Sequence, residues 1–292
     1  INEFYVKNSD LEITLGTLSE SDTTATEPVY WKILLDQIDI ENVGLALRMP
    51  QDSLYLRTQL PSVSLRNGEI DLKESTYFVK TMAINEANLS YDSGVEAGRL
   101  HPDSIGKTLN TNHLSFKNID LQIDSVYYAG RDFRAKIARF DWIERSGLEI
   151  LSTEGRIWAD ANTINIPQFV MKTTDSSLDL QTQIGWDVLD LKKSGVFSAR
   201  LLAEIGKGDM LKVVGGMDPE FIKSYPSQPL RILTGVDGDL NRLHLRTFSA
   251  ELPRSFKVEA EGDLVYLTDS TRRGGEINLS AESFDMRFLR PL

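Results

Sequence analysis

The sequence contains no cysteine. That excludes a disulfide framework, thiol catalysis and thiolate metal sites. No stretch approaches the roughly 18–20 apolar residues needed to cross a bilayer as a helix, and no signal peptide is recognisable. Positive charge is also short. Lys and Arg number 32 against 43 Asp and Glu, a net charge of -11. A phosphate-tracking protein needs a basic stripe, so nucleic acid is not an expected partner. A purely electrostatic hold on an anionic membrane is disfavoured for the same reason. What is present suits an ordinary folded protein: 292 residues, 41% hydrophobic and 26% charged. The chain opens at Ile1 without Met, and Phe284 to Leu292 still reads as strand, so a piece of a longer protein is expected.

Two-residue alternation dominates. It runs through Leu11, Ile13 and Leu15, through Leu54 and Leu56, Val63 and Leu65, Ile70 and Leu72, and through Ile119, Leu121 and Ile123. It continues in Leu148 and Ile150, Ile164 and Ile166, Leu178 and Leu180, Leu201 with its Ala neighbours, Leu243 and Leu245, Phe256 and Val258, and Ile277 and Leu279. Alternation puts one set of side chains on each face of a strand, one wet and one dry. Parallel strands buried on both faces would give continuous apolar runs instead.

The punctuation fits antiparallel meanders. Arg66-Asn67-Gly68, Asp92-Ser93-Gly94, Arg145-Ser146-Gly147, Val236-Asp237-Gly238-Asp239 and Arg272-Arg273-Gly274-Gly275 all read as hairpin turns. Strands of about five or six residues would make about 25–30 strands. One helix is predicted at Asp218-Pro219-Glu220-Phe221-Ile222-Lys223, with Asp218 capping and Pro219 in the first position. A weaker helical pattern covers Trp186 to Lys192. Leu18 to Pro28 reads as a solvated loop and Gly94 to Asn112 as an irregular connection. A repeat of roughly 80 residues is hinted at, where Gln37-Ile38-Asp39-Ile40 resembles Asn118-Ile119-Asp120-Leu121.

Residues that could carry chemistry do not assemble into a motif. His101, His113 and His244 are far apart and lack metal-ligand spacing. Asp237 and Asp239 flank Gly238 as in a fragment of a calcium loop, without the remaining ligands, and a turn explains them better. Asp120 and Asp124 fall on a wet strand face, where a glycosidase pair is less expected than solvated acids. Nucleophile-elbow and phosphate-loop patterns are missing, and Gly206-Lys207-Gly208-Asp209 and Gly215-Gly216 read as turns. Trp31, Trp142, Trp158 and Trp186 could form a sugar-stacking platform, though packing in the core or at the sheet rim is favoured. No cofactor or metal is implied, and an enzyme is not expected.

Two segments carry a family likeness. Tyr225-Pro226-Ser227-Gln228-Pro229-Leu230-Arg231-Ile232, then Val236-Asp237-Gly238-Asp239-Leu240-Asn241-Arg242-Leu243-His244-Leu245, resemble the recurrent "YP-x-x-PL … v-x-G-x-L-x-x-L-x-L" pattern of TamB and AsmA-like proteins of the Bacteroidetes type. Phe256 to Leu264 resembles the strand-turn-strand unit that follows it. The likeness is specific over about Phe221 to Leu279 and architectural before that. It implies an elongated, curled antiparallel β-sheet, an open taco-like groove with an apolar interior and very little helix. It further implies a periplasmic protein, anchored in the inner membrane, that shields phospholipid or other acyl lipid between the two membranes. The partners it implies are membranes reached through other parts of the protein and an outer-membrane assembly-family β-barrel.

The expected organisation is one continuous β-groove segment, 1–292, divisible into units 1–110, 111–195 and 196–292. The expected lining is the apolar set: Leu54, Leu56, Val63, Leu65, Ile70, Leu72, Ile119, Leu121, Ile123, Leu148, Ile150, Ile164, Ile166, Leu178, Leu180, Leu201, Ile232, Leu243, Leu245, Phe256, Val258, Ile277 and Leu279. The competing readings are a β-sandwich protein binding glycan or protein, a carbohydrate-active enzyme, and a structural spacer.

Overall fold

A computed structural model describes residues 2–15, 30–94, 108–189, 193 and 195–290. The predicted loop at Leu18 to Pro28, most of the connection from Gly94 to Asn112, and His101 lie outside them. The chain is 68% strand and 7% helix. The strands are β1 (Glu3–Thr14), β2 (Lys32–Met49), β3 (Leu54–Asp71), β4 (Thr76–Ser93), β5 (His113–Ala129), β6 (Asp132–Glu144) and β7 (Glu149–Ala159). They continue as β8 (Thr163–Thr173), β9 (Ser177–Gly185), β10 (Phe197–Ile205), β11 (Leu230–Gly238), β12 (Arg242–Leu252), β13 (Phe256–Val265) and β14 (Gly274–Ser283). They form one open 14-stranded sheet whose spatial order is the chain order, so β1 and β14 are each bonded on one side only.

The all-β class and the scarcity of helix agree with the alternating sequence. Three features differ. The strands are fewer and longer than predicted, from 9 to 18 residues, because the longest continue through residues of positive φ and one of the five turn signals does not turn the chain. Asn67-Gly68 sits inside β3, where Asn67 has φ 52° and kinks the strand without shifting its register. The pair β1–β2 is parallel, with Phe4 opposite Ile38 and Leu11 opposite Leu45, although every other register described is antiparallel. Phe284 to Arg290, the described part of the predicted terminal strand, is not strand. β14 stops at Ser283, and a 3₁₀ turn at Arg287–Leu289 buries Phe288.

The chain divides into two compact units, Ile1–Gly130 with Arg134–Leu151, and Arg131–Phe133 with Ser152–Leu292. The first contains β1 to β5 and most of β6. Its long strands carry a rank of bulges: Asn8, Asn42, Glu86 and Asn118 have φ of 51°, 54°, 55° and 51°, and Pro61 stands opposite Asn42, between the pairs Glu41–Ser62 and Val43–Leu60. A bulge adds one unpaired residue and bends its strand. Asn tolerates the left-handed region best, and Pro has no N–H to leave unpaired.

The second unit contains β8 to β14 and both α-helices. In α2 (Pro219–Ser224) the Asp218 carboxylate accepts from the backbone N–H of Glu220 and Phe221, the predicted cap. The weaker pattern at Trp186 becomes a 3₁₀ turn over Trp186–Leu189. The glycine-rich stretch at 206–209, read as a turn, instead opens α1 (Lys207–Val213). Its start lies against the β8–β9 turn, where a Cβ on Gly206 would come 2.3 Å from the Asp175 carbonyl oxygen. Asp209 is buried there. It accepts from Ser176 Oγ at 2.8 Å and from the Thr173 hydroxyl. Burial pushes its pKa up, but the bonds from Thr173, Ser176 and Lys212 together outweigh that and hold it below the ordinary value.

Candidate apolar binding face

In the first unit the registers line apolar side chains into rows that cross β1 to β5. One row is Phe4, Ile38, Leu65, Met82 and Ile123. The next is Val6, Ile40, Val63, Ile84 and Leu121. Beyond the rank of bulges come Leu11, Leu45, Thr58, Leu89 and Phe116, then Ile13, Leu47, Leu56, Tyr91 and Leu114. On the other side Ile33, Ile70, Tyr77 and Tyr128 form a further row. Within each strand the apolar set changes between even and odd numbers at the bulges. Ile38 and Ile40 give way to Val43 and Leu45, and Leu114 and Phe116 to Ile119 and Leu121. An uncorrected slip of one residue would turn the whole set to the wet face, so the extra residue keeps one face continuously apolar.

The second unit repeats the arrangement. Phe169, Leu180, Leu201, Thr234, Phe248, Ala260 and Leu279 make one row, and Ile166, Thr182, Ala199, Val236, Leu245, Gly262 and Ile277 the next. Met171, Leu178, Ala203, Ile232, Ala250 and Val258 lie alongside them. Small residues in β10 to β13 leave this face shallow between its larger side chains.

The opposite face is polar. Lys32 pairs with Glu69 at 2.7 Å, Arg48 with Glu12 at 2.7 Å, Arg66 with Asp39 at 2.7 Å and Arg231 with Glu204 at 3.1 Å. Hydrogen bonds from Gln37 and Arg66 hold the Asp39 carboxyl below its usual range. Opposite charges placed across strands favour this register over one that would set like charges side by side.

The burial of the expected lining distinguishes an open face from a closed core. Leu54, Leu56, Val63, Leu65, Ile70, Leu72, Ile119, Leu121, Ile123 and Leu148 in the first unit are half-buried, as are Ile164, Ile166, Leu178, Leu180, Leu201, Ile232, Leu243, Leu245, Phe256 and Val258 in the second. Ile150 is buried, while Ile277 and Leu279 on the last strand are 46% and 68% exposed. Half-burial at these positions comes from neighbours in the same layer. Among the described residues only nine hydrophobic side chains are buried, whereas 23 large ones are exposed, and a covered face would reverse that balance.

The chief exception closes one end of the second unit's face. Phe221, Tyr225, Leu252 and Phe288 form a buried cluster, and Met210, Met217, Leu230, Phe256 and Met286 pack against it. The Tyr225 and Phe288 rings meet edge to face at 5.5 Å. Phe256 thus belongs to a plug made by α1, α2 and the last 3₁₀ turn. Sequence reasoning missed this plug, although the Met and aromatic residues flanking α2 were its one signal.

The residues singled out for other chemistry remain apart. His113 contacts Asp92 and His244 contacts Asp263, each at 3.1 Å. The Asp239 carboxylate caps its own turn, accepting from the backbone N–H of Asn241 and Arg242. Asp120 pairs with Arg139 and Asp124 with Lys136. Among the described residues no three His, Asp or Glu converge as metal ligands, and no helix is long and apolar enough to cross a membrane. Two tryptophans depart from the packing expected of them: Trp31 is 69% exposed and Trp158 40%. No protein-family model, curated protein or solved structure matches the chain.

Proposed function

We propose that this chain is a segment of a periplasmic lipid-transfer or outer-membrane biogenesis protein, and that its apolar face shelters phospholipid acyl chains on the way between inner and outer membrane. One observation carries the reading. The apolar face is continuous within each unit, preserved through successive bulges, and left half-exposed, with no second layer among the described residues packed on it. An acyl chain of about sixteen carbons loses roughly 12 kcal/mol of favourable burial when drawn into water, at about 0.8 kcal/mol per CH₂. A lining of Leu, Ile, Val and Phe offsets that cost without specific contacts, and the headgroup stays in water. Such a device needs no catalytic group. In this reading inner-membrane anchoring and contact with an outer-membrane β-barrel belong to other parts of the protein, as the TamB and AsmA-like resemblance implies. The alternative, a β-sandwich binding protein, requires two sheets packed face to face, and lipid uptake is the measurement that separates the two readings.

The test is extraction of protein purified without detergent, followed by lipid mass spectrometry. The expected result is co-purifying acyl lipid that exchanges with a fluorescent phospholipid added in vesicles. Lipid-free protein that also fails to take up the added phospholipid would remove the proposal.

A further inference from the structure

The polar face of the second unit contains a cleft that the lipid reading does not use. Its volume is about 670 Å³, within the usual range for small-ligand sites. Its lining includes Trp158, Gln181, Gln183, Arg200, Asp237 and Arg246. The registers put Gln181, Gln183, Arg200 and Asp237 on the wet side, and Arg246 joins them through its ion pair with Asp237. The hydrogen bond from Asp160 N–H to the Thr163 carbonyl closes the β7–β8 hairpin, setting Trp158 opposite Asn165. Asn165 faces Gln183, which faces Ser198, which faces Asp237. In the neighbouring polar row Gln181 faces Arg200, and Arg200 faces Gly235. Ile166, Thr182, Ala199, Thr234 and Val236, which alternate with the wet-side residues, also border the cleft, whereas the bulkier apolar-face neighbours Phe169, Leu180, Leu201 and Phe248 do not. It crosses from β7 to β12, five inter-strand steps or about 24 Å, with Ser198 and Gly235 giving it depth.

The chemistry of the lining is specific. Gln181 and Gln183 each present donors and an acceptor, as a hydroxyl-rich ligand requires. Their side chains and that of Arg200 make no hydrogen bond or ion pair among the described residues. Trp158 offers a flat apolar surface beside them. Arg246 is held by Asp237, so the charged side chains of the lining, Arg200, Arg246 and Asp237, sum to +1 in a chain of net charge -11. A single unpaired guanidinium suits one carboxylate held by two parallel bonds. A phosphate-rich ligand would want several cations.

We propose that this cleft binds an acidic oligosaccharide, with Trp158 stacking on a sugar ring, Gln181 and Gln183 bonding hydroxyls, and Arg200 holding a uronate carboxylate. It lies on the face opposite the lipid-binding surface and does not depend on that function.

The experiment is calorimetric titration of the whole chain with trigalacturonate, with neutral cellotriose and with inorganic phosphate. The expected result is saturable binding of trigalacturonate at least tenfold tighter than cellotriose, not displaced by equimolar phosphate. Arg200→Met should weaken trigalacturonate at least tenfold and leave cellotriose unchanged. Arg200→Lys should restore part of the loss, and Trp158→Ala should weaken both sugars. Circular dichroism confirms that each variant is folded, and phospholipid uptake by Arg200→Met stays at the wild-type level. Failure to bind trigalacturonate, equal binding of both sugars, displacement by phosphate, or an Arg200→Met protein that binds like wild type would each overturn the proposal.

Discussion

Replacing Ile84 by aspartate puts a carboxylate in the middle of the first unit's apolar face. Ile84 stands between Val63 on β3 and Leu121 on β5, with Met82 two residues before it on the same face. It is half-buried, so without ligand the new carboxylate reaches water and the fold should lose only about 1–2 kcal/mol. A bound acyl chain gives a different result. One inter-strand step of about 4.8 Å is covered by about four methylenes, and at about 0.8 kcal/mol each their loss of apolar cover costs about 3 kcal/mol. Affinity should therefore fall roughly 100-fold, at a factor of ten per 1.4 kcal/mol. Asn85→Asp is the control. It adds the same charge one residue later, on the opposite face, where Asn85 lies across from Ser62. Binding is read by titrating a fluorescent phospholipid analogue, and folding by circular dichroism and thermal midpoint. If folded Ile84→Asp binds as tightly as wild type, or if both variants lose affinity equally, this face is not where acyl chains lie.

Other outcomes follow from the same structure. Asn118 holds φ 51° in a bulge. Asn118→Gly should therefore be tolerated, whereas Asn118→Val should lower stability by about 1–2 kcal/mol in urea unfolding, since a β-branched residue is strained there. Leu252 is 1% exposed in the plug, and Leu252→Ala should cost about 2–5 kcal/mol, with faster hydrogen exchange in α2. The Asp209 carboxyl sits below its ordinary value in the folded protein. Its stabilising effect is thus complete at neutral pH, where the unfolded carboxyl is also ionised, and fades below about pH 4 as the folded group takes up its proton. In an acid titration the loosening of α1 should be the part of the transition that Asp209→Asn removes.

Much of this fold is written in the alternation, and the places where it is not have physical causes. Ile119, Leu121 and Ile123 announce one face of β5 unaided. The preceding pair, Leu114 and Phe116, is out of phase with them in number yet shares their face, because Asn118 inserts the extra residue. Asn67-Gly68 shows the same limit. The dipeptide reports a residue able to take positive φ, and it cannot say whether that φ reverses the chain or only kinks it. The parallel pairing of β1 is hidden because its side-chain period equals that of an antiparallel strand. Helix α1 has seven residues, too few to display a helical period, and its anchor is tertiary, from Asp209 to the β8–β9 turn. The candidate face was legible as a set of residues, while its openness depended on what packs above it. The polar cleft was not legible, since Trp158, Arg200 and Arg246 meet only through strand registers.

The agreement between spatial order and chain order has a bearing on how such a protein can vary. Each strand answers only to the two beside it, so a pair of strands could be gained or lost by duplication or deletion without asking any distant segment to change. The newcomer would need only to match its neighbours' greasy rows and charged partners. Length then becomes a quantity that evolution can adjust freely, and a span of any required reach can be assembled from one repeated rule.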